Sequence, residues 1–168
     1  GIRDVAVTGV QTCALPIFEA AARVLPRVSD ATFLIVGEGP EAERLQARIV
    51  EHNLTSQIRM LGFRDDLLNI FRSLDLFVIP SVEGDTIPQV LMQALAMGLP
   101  VVSTTTGSIP DVVQDGVTGY VVPPRDADAL ADRIVALLGD PGLRMDMGRR
   151  GRAMVERDYS LSRMLDRL

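Results

Sequence analysis

The chain has 168 residues, enough for one domain with a substantial core, and 47% of them are hydrophobic. The formal net charge is −5, and acidic residues are spread along the chain, which argues against a nucleic-acid-binding surface. No apolar run approaches the roughly 18 residues that a membrane-spanning helix requires. All 17 basic residues are arginines, so the sequence excludes a Schiff-base lysine and a P-loop lysine.

The chain contains one cysteine and one histidine, which limits its chemistry further. A single cysteine excludes an intrachain disulfide and a thiolate zinc cluster. His52 lies near the end of a predicted helix, where a cation is favourable, so we interpret it as a helix-terminal charge. We expect a soluble, cytoplasmic protein without a metal ion or another cofactor.

The first 17 residues differ in character from the rest and lack the layout of a signal peptide. The strings GIRD and VTGVQTCALPI resemble the translation of a common sequencing adapter, with Val5 and Ala6 where its variable index would fall. We therefore predict that residues 1–17 are foreign, that the domain comprises residues 18–168, and that deleting the segment leaves the fold intact. The alternative is a genuine N-terminal strand at a sheet edge.

From residue 18 onward, the pattern alternates between helical and strand periods. Helices are predicted at residues 18–28, from the turn at 38–40 through 51, and at 67–74, 88–97, 127–138 and 141–157, with a short helix at 107–113. Strands are predicted at residues 31–37, 57–61, 76–80, 99–103 and 120–122. An aspartate at position 65 or 66 is expected to cap the helix that begins at residue 67.

Short apolar strands separated by helices predict right-handed crossovers and a doubly wound parallel α/β sheet of Rossmann-like type. In such folds ligands bind outside the carboxyl ends of the strands. Three loops at those ends carry unusual chemistry, namely residues 37–39, 62–64 and 81–88. The sequence therefore predicts a binding site where these loops meet.

The segment from residue 85 places a carboxylate and a proline directly before a helix and after an apolar strand. The first amides of a helix have no internal partner, and the helix dipole adds positive potential there. Pro88 fits the first turn, where its missing N–H has no cost. This arrangement suits a phosphate-bearing ligand, although an ordinary strand-to-helix connection has the same pattern.

A longer series of motifs runs from residue 33 to residue 122. It comprises VGEGP (36–40), LGFRDD (61–66), DLFVIPS (75–81), ALAMGLPVV (94–102), GSIPDVV (107–113) and GVTGYVVPP (116–124). In order and spacing, the series resembles the C-terminal, nucleotide-sugar-binding domain of the GT-B retaining glycosyltransferases of family 4 (group 1 glycosyltransferases). The resemblance implies transfer of a sugar from a UDP-sugar or another NDP-sugar to an acceptor hydroxyl.

The family carries two glutamates separated by seven residues, and this chain departs from the pattern with Asp85 and Gln93. The resemblance implies that Asp85 is the catalytic carboxylate beside the donor sugar. It also implies that Gln93 holds the ribose hydroxyls, without charge assistance. Glu83 is the alternative to Asp85, or else a solvated loop charge.

The resemblance assigns the remaining donor contacts to three loops. The amides of Thr86 and Ile87, next to Pro88, would meet the sugar and the diphosphate at the helix end. The loop containing Phe63 and Arg64 would hold the base, chiefly through its backbone. Residues 37 and 38 (Gly37, Glu38) would line the same cleft. A surface ion pair with one of the two following aspartates is the alternative for Arg64.

The family also supplies an arginine and a lysine to the donor diphosphate from a segment just upstream of Phe18. Here the foreign segment takes that place, and each lost bond of about 1.5–3 kcal/mol implies a donor affinity weaker by a factor of about ten or more. We expect the N-terminal acceptor-binding domain to be missing as well, so that the chain is inactive alone. Any peripheral membrane association is expected only through that domain.

A non-enzymatic nucleotide- or effector-binding module of flavodoxin-like architecture is the competing hypothesis, because the strand–helix alternation allows it. The chain lacks a G-x-G-x-x-G fingerprint after its first predicted strand. Binding of UDP rather than a flavin separates the two hypotheses.

Overall fold

The computed structural model describes residues 3–8, 14–84 and 87–159, and within them six parallel strands form one sheet. The strands are β1 (Arg3–Thr8), β2 (Ala31–Val36), β3 (Ile58–Gly62), β4 (Leu76–Ile79), β5 (Val101–Thr104) and β6 (Gly119–Val122). Their order in the sheet is β3-β2-β1-β4-β5-β6. This arrangement confirms the predicted doubly wound α/β class.

Helices cover both faces of the sheet. They are α1 (Ala14–Val24), α2 (Ala42–Glu51), α3 (Leu67–Ser73), α4 (Gln89–Ala96), α5 (Ala127–Gly139) and α6 (Pro141–Asp158), with a short 3-10 helix at Ile109–Asp111. Residues of α1, α2 and α5 build one core cluster, and residues of α3 and α4 build the other. Within the described ranges, none of the helices combines the length and the apolar character needed to cross a bilayer.

The strand sequences explain why both faces must be covered. All four side chains of β4 are buried, with Leu76 and Val78 in one core cluster and Phe77 and Ile79 in the other. Successive side chains of a strand point to opposite faces. A continuous apolar run is therefore stable only between two layers of helices.

The strand order places a switch point between β1 and β4. From β1 the chain builds outward through β2 and β3, and then it returns to β4 and builds outward through β5 and β6. A flavodoxin-like sheet has the order 2-1-3-4-5, with only one strand on the first side. The observed strand order therefore differs from the flavodoxin-like order that the competing hypothesis requires.

Strand β1 lies inside the sheet and pairs with β2 and β4. Val5 is opposite Phe33 on one side and Leu76 on the other, and both Val5 and Ile17 are 0% exposed. The alternative of an N-terminal strand was expected at an edge, whereas this strand is central. From this central position we predict that removing residues 1–17 disrupts the sheet, whereas the sequence predicted that the deletion leaves the fold intact. The foreign origin of the segment stays a prediction.

Helix α1 differs from its prediction at both ends, since it runs from Ala14 to Val24 instead of residues 18–28. Proline disfavours helical geometry in the residue before it. Pro26 therefore ends the helix, although Val28 remains buried against the same core. The other element boundaries lie within a few residues of their predictions.

Candidate functional site

The loops after β2 and β3 meet at one edge of the sheet. The N–H of Gly37 donates a hydrogen bond to the carbonyl of Gly62 over 2.8 Å. Both residues have positive φ, 126° and 64°, a conformation that glycine adopts without strain. Glu38 is exposed beside them, and a Cβ atom added to Gly62 would lie 4.0 Å from its Oε1.

A cavity of about 560 Å³ opens beside this junction. Gly37, Glu38 and Gly62 line it together with Ala42 and Met60. Its lining therefore mixes apolar side chains with polar ones, Glu43 and Gln46 among them, a mixture found in small-molecule sites. The structure thus brings together the predicted residues of the first two loops.

Phe63 and Arg64 follow directly at the carboxyl end of β3. The Phe63 side chain is 72% exposed, so an aromatic face is open to a ligand. Arg64 donates from Nε and Nη2 to the two carboxylate oxygens of Asp66, over 2.8 and 2.7 Å. These bonds raise the pKa of the Arg64 guanidinium and lower the pKa of the Asp66 carboxyl.

The pairing of Arg64 with Asp66 is the alternative that the sequence left open for this arginine. The same pairing explains why Asp66 does not cap α3 with its side chain, as one of the two predicted candidates for that role. Asp66 is the N-cap residue, but its side chain makes no capping bond, because both carboxylate oxygens face Arg64. The prediction of a side-chain cap at Asp66 is therefore wrong, and only the backbone of this residue takes part in the start of the helix.

The loop after β4 leads to the amino end of α4. Pro88 has φ −64° and ψ 130° and is the N-cap residue, so it precedes the first turn instead of lying in it. Its carbonyl accepts a hydrogen bond from the N–H of Leu91 over 3.0 Å. Asp85 and Thr86, the predicted catalytic carboxylate and one of the predicted amide donors, lie outside the described residues.

Ile87 and Gln93 line a second cavity, of about 430 Å³, on the open side of α4. Tyr159, which follows α6, lines the same cavity. Gln93 is exposed and Ile87 is half-buried. Gln93 of α4 and Ile87, just before that helix, therefore share one concave surface.

Sequence reasoning missed a group of hydroxyl side chains at the end of β5. Thr104 and Thr106 donate to the carbonyl of Ser81 over 2.6 and 3.0 Å, and Ser103 donates to the carbonyl of Ile79 over 2.9 Å. A cavity of about 210 Å³ lies next to Ser81 and Thr106. The run of three threonines at 104–106 is the only signal that the sequence offers for this group.

Arg125 was also missed. It follows β6 with a φ of 64° and lies on the same edge as the other loops, since all strands are parallel. Its Nη2 is 3.7 Å from Oε1 of Glu83, and both side chains are largely exposed. Glu83, the alternative to Asp85, therefore has a cationic neighbour.

The predicted site residues that the structure describes all lie at the carboxyl edge of the sheet. The loops of β2 and β3 lie on one side of β1, and the loops of β4 and β5 lie on the other. With strands about 4.8 Å apart, the loops after β3 and β4 are roughly 14 Å apart. Within the described part of the chain, no three His, Cys, Asp or Glu side chains form a metal-binding group.

Known proteins resemble the chain in sequence and in fold. Residues 13–140 match the family model described as glycosyl transferases group 1. The N-acetyl-alpha-D-glucosaminyl L-malate synthase of Bacillus anthracis is 32% identical over 143 residues, which are 85% of this chain and 37% of that enzyme. The chain thus spans about a third of the length of such relatives.

Two solved structures share the fold. The C-terminal domain of LpcC from Francisella tularensis, a glycosyl transferase group 1 family protein, matches with a TM-score of 0.85 and 26% identity, over 96% of this chain and 88% of that one. Anabaena HepE in complex with UDP-glucose matches with a TM-score of 0.83 and 21% identity, over 98% and 49% of the two chains. Together with the family model, these matches show that the chain belongs to the group 1 glycosyltransferases.

Proposed function

We propose that this chain is the donor-binding lobe of a retaining family 4 glycosyltransferase, which transfers a sugar from a nucleotide-sugar donor to an acceptor hydroxyl. The observation that carries the proposal is the convergence of the loops after β2, β3 and β4 on one edge, beside the β1/β4 switch point. Family membership supports the reaction class. A protein of the same fold, solved with UDP-glucose, supports a nucleotide-sugar ligand.

The positions of the three loops indicate how the donor would lie along the carboxyl edge of the sheet. The base would lie at the β2/β3 side, where Phe63 offers an exposed ring and Glu38 lines a cavity. The diphosphate and the sugar would lie at the start of α4, beside Ile87. Gln93 would hold the ribose hydroxyls from the open side of that helix.

The chemical demand of the reaction is to stabilise negative charge on the departing diphosphate. The first amides of α4 have no partner within the helix, and their dipoles are fixed before the reaction starts. Such a site works without a metal ion. For Asp85 and Thr86 the proposed roles rest on the family pattern, with the carboxylate beside the sugar and the amide on the phosphate.

We further propose that the acceptor is bound by a separate domain, since the relatives are much longer than this chain. The lobe alone would then bind donor without turnover, as a cytoplasmic module. Any contact with a membrane would come through the acceptor domain. Nucleic acid is not a proposed partner, because the net charge is −5.

A thermal-shift panel tests this proposal. UDP, GDP, ADP, flavin mononucleotide and inorganic phosphate are each added to the purified chain. A ligand at about 100 times its Kd stabilises the folded state by about 2.7 kcal/mol, which is a measurable rise in Tm. We expect one nucleoside diphosphate to raise the Tm and the flavin to leave it unchanged. An equal response to every compound, or a response to the flavin alone, would contradict the proposal.

A further inference from the structure

We propose that the hydroxyl groups at the end of β5 are positioning residues for the donor site. Thr104 and Thr106, assisted by Ser103, hold the backbone from which the chain leaves β4 toward α4. The inference rests on the proposed function, because α4 and the residues before it are assigned to the donor. None of the three side chains needs to contact the ligand.

The first step of the argument is where the β4–β5 pairing stops. The last pair of the ladder joins Ile79 to Ser103. At this pair Ser103 also donates from its side chain to the carbonyl of Ile79, and beyond it Thr104 donates to the carbonyl of Ser81. Side-chain hydroxyls therefore continue the attachment of β4 to β5 past the end of the backbone ladder.

The second step is burial. Ser103 is 0% exposed and Thr104 is 2% exposed. A buried hydroxyl or carbonyl that loses its partner cannot be rescued by water, so these bonds are hard to give up. The start of the loop at Ser81 is thereby fixed relative to the sheet.

The third step is the count of protons. Thr104 and Thr106 lie 3.1 Å apart, and each also contacts the Ser81 carbonyl. Two hydroxyls carry two protons, so at most two of these three contacts are hydrogen bonds at one time. Of the three contacts, the one from Thr104 to the Ser81 carbonyl is the shortest, at 2.6 Å, which makes Thr104 the main anchor.

The fourth step links the anchor to the donor site. The cavity of about 210 Å³ is lined by Ser81 and Thr106 and also by Pro88. Pro88 is the N-cap of α4. A shift of Ser81 would therefore move the residues that lead into the amino end of that helix.

The test compares valine and serine at both threonines. Thr104→Val/Thr106→Val keeps the side-chain shape and removes both donors, whereas Thr104→Ser/Thr106→Ser restores them. Thr118→Val is the matched control, because Thr118 is also buried and its Oγ1 accepts from the N–H of Gln114, in the turn before β6. UDP affinity is measured by calorimetry, and amide exchange of residues 81–84, 87 and 89 is measured by NMR in the free protein.

We expect the double valine variant to bind UDP about tenfold or more weakly, because the loop would no longer be held in its binding position before the ligand arrives. Exchange at residues 81–84, 87 and 89 should accelerate by a similar factor. The double serine variant should recover both values. Thr118→Val should lower the Tm without changing either value.

The outcomes separate the two proposals. Unchanged exchange in the double valine variant, or equal loss of affinity in Thr118→Val, would overturn the positioning role. Accelerated exchange with no binding of UDP or GDP by the original chain would support the positioning of the loop and contradict the proposed function. Should the double variant fail to fold, the single valine variants decide, with a larger effect expected at Thr104 than at Thr106.

Discussion

Gln93 stands where the family has a glutamate, and the structure places it on the open side of α4 in a cavity shared with Ile87. A neutral amide can donate to and accept from ribose hydroxyls, but its bonds are weaker than those of a carboxylate. Its position at the site followed from the motif alone. Its surroundings, above all Tyr159 in the same cavity, could not be predicted, because they depend on how α6 packs.

We predict that Gln93→Ala weakens nucleoside diphosphate binding by about two- to tenfold, the range expected for a hydrogen bond of about 0.5–1.5 kcal/mol. Calorimetric titration with UDP and GDP measures the effect. Gln57→Ala, at the amino end of β3, is the matched control and should leave the affinity unchanged. Equal affinities for Gln93→Ala and the original chain would remove this residue from the site.

A second prediction for a single residue concerns the Asp4 carboxyl and the pH dependence of stability. Burial, and then the negative charge of Asp75, raise the pKa of the Asp4 carboxyl above its ordinary value. Between the ordinary and the raised value the folded state binds more protons, so this group lowers stability as the pH rises through that window. Asp4→Asn should therefore raise the Tm at about pH 7.5, where carboxyls are ionised.

The gain from Asp4→Asn should shrink as the pH falls and vanish below about pH 4, near the ordinary pKa of an aspartate. Thermal unfolding at several pH values measures it. Asp111→Asn, which replaces an exposed carboxylate, is the control for the substitution itself and should leave the Tm close to that of the original chain. A gain that is constant with pH would show that the charge of Asp4 is not its cause.

At the scale of elements, periodicity predicted nearly every helix and strand, because each has an apolar face that only one period explains. What it could not predict was contact between elements. The carbonyl of Gly98, just after α4, would lie 1.9 Å from a Cβ atom added to Gly148 in α6. The segments around Gly98 and Gly148 are fifty residues apart in the sequence, and their backbones approach each other closely. No local sequence pattern predicts this contact.

Gly148→Ala is expected to destabilise the fold by about 1–3 kcal/mol or more, because the added methyl group meets backbone instead of a movable side chain. Gly139→Ala at the end of α5 is the matched control, since nothing lies within 4 Å of its added Cβ. That control should be neutral or stabilising by up to about 1 kcal/mol. Urea unfolding compares the two variants, and equal stability would contradict the close packing of α6.

Strand β1 is a second case in which the sequence could not predict the contacts between elements. The resemblance to a translated sequencing adapter predicted that residues 1–17 are foreign, yet only the pairing with β2 and β4 shows that a strand from this segment lies between them. Removing it would unpair both neighbours and expose the surface that Val5 covers. We predict that deletion of residues 1–17 lowers the Tm strongly or prevents folding, and circular dichroism measures this. A melting curve unchanged by the deletion would show that β1 is not part of the stable sheet.

At the scale of the whole molecule, the strand order β3-β2-β1-β4-β5-β6 places the site. The alternation of helices and strands predicted a doubly wound sheet, but it allowed both this order and the flavodoxin-like one. The order decides which loops are neighbours, and therefore whether Phe63 and Ile87 can face one ligand. The central claim is that a nucleoside diphosphate lies across the β1/β4 switch point.

The most direct measurement is an NMR titration of the isotope-labelled chain with UDP and GDP. The account predicts chemical-shift changes concentrated at residues 37–38, 62–64 and 87–93, along the carboxyl edge of the sheet. Residues at the opposite edge, such as Asp75 and Arg144, should not respond. Changes concentrated at that opposite edge, or none at saturating concentrations of either nucleotide, would contradict it.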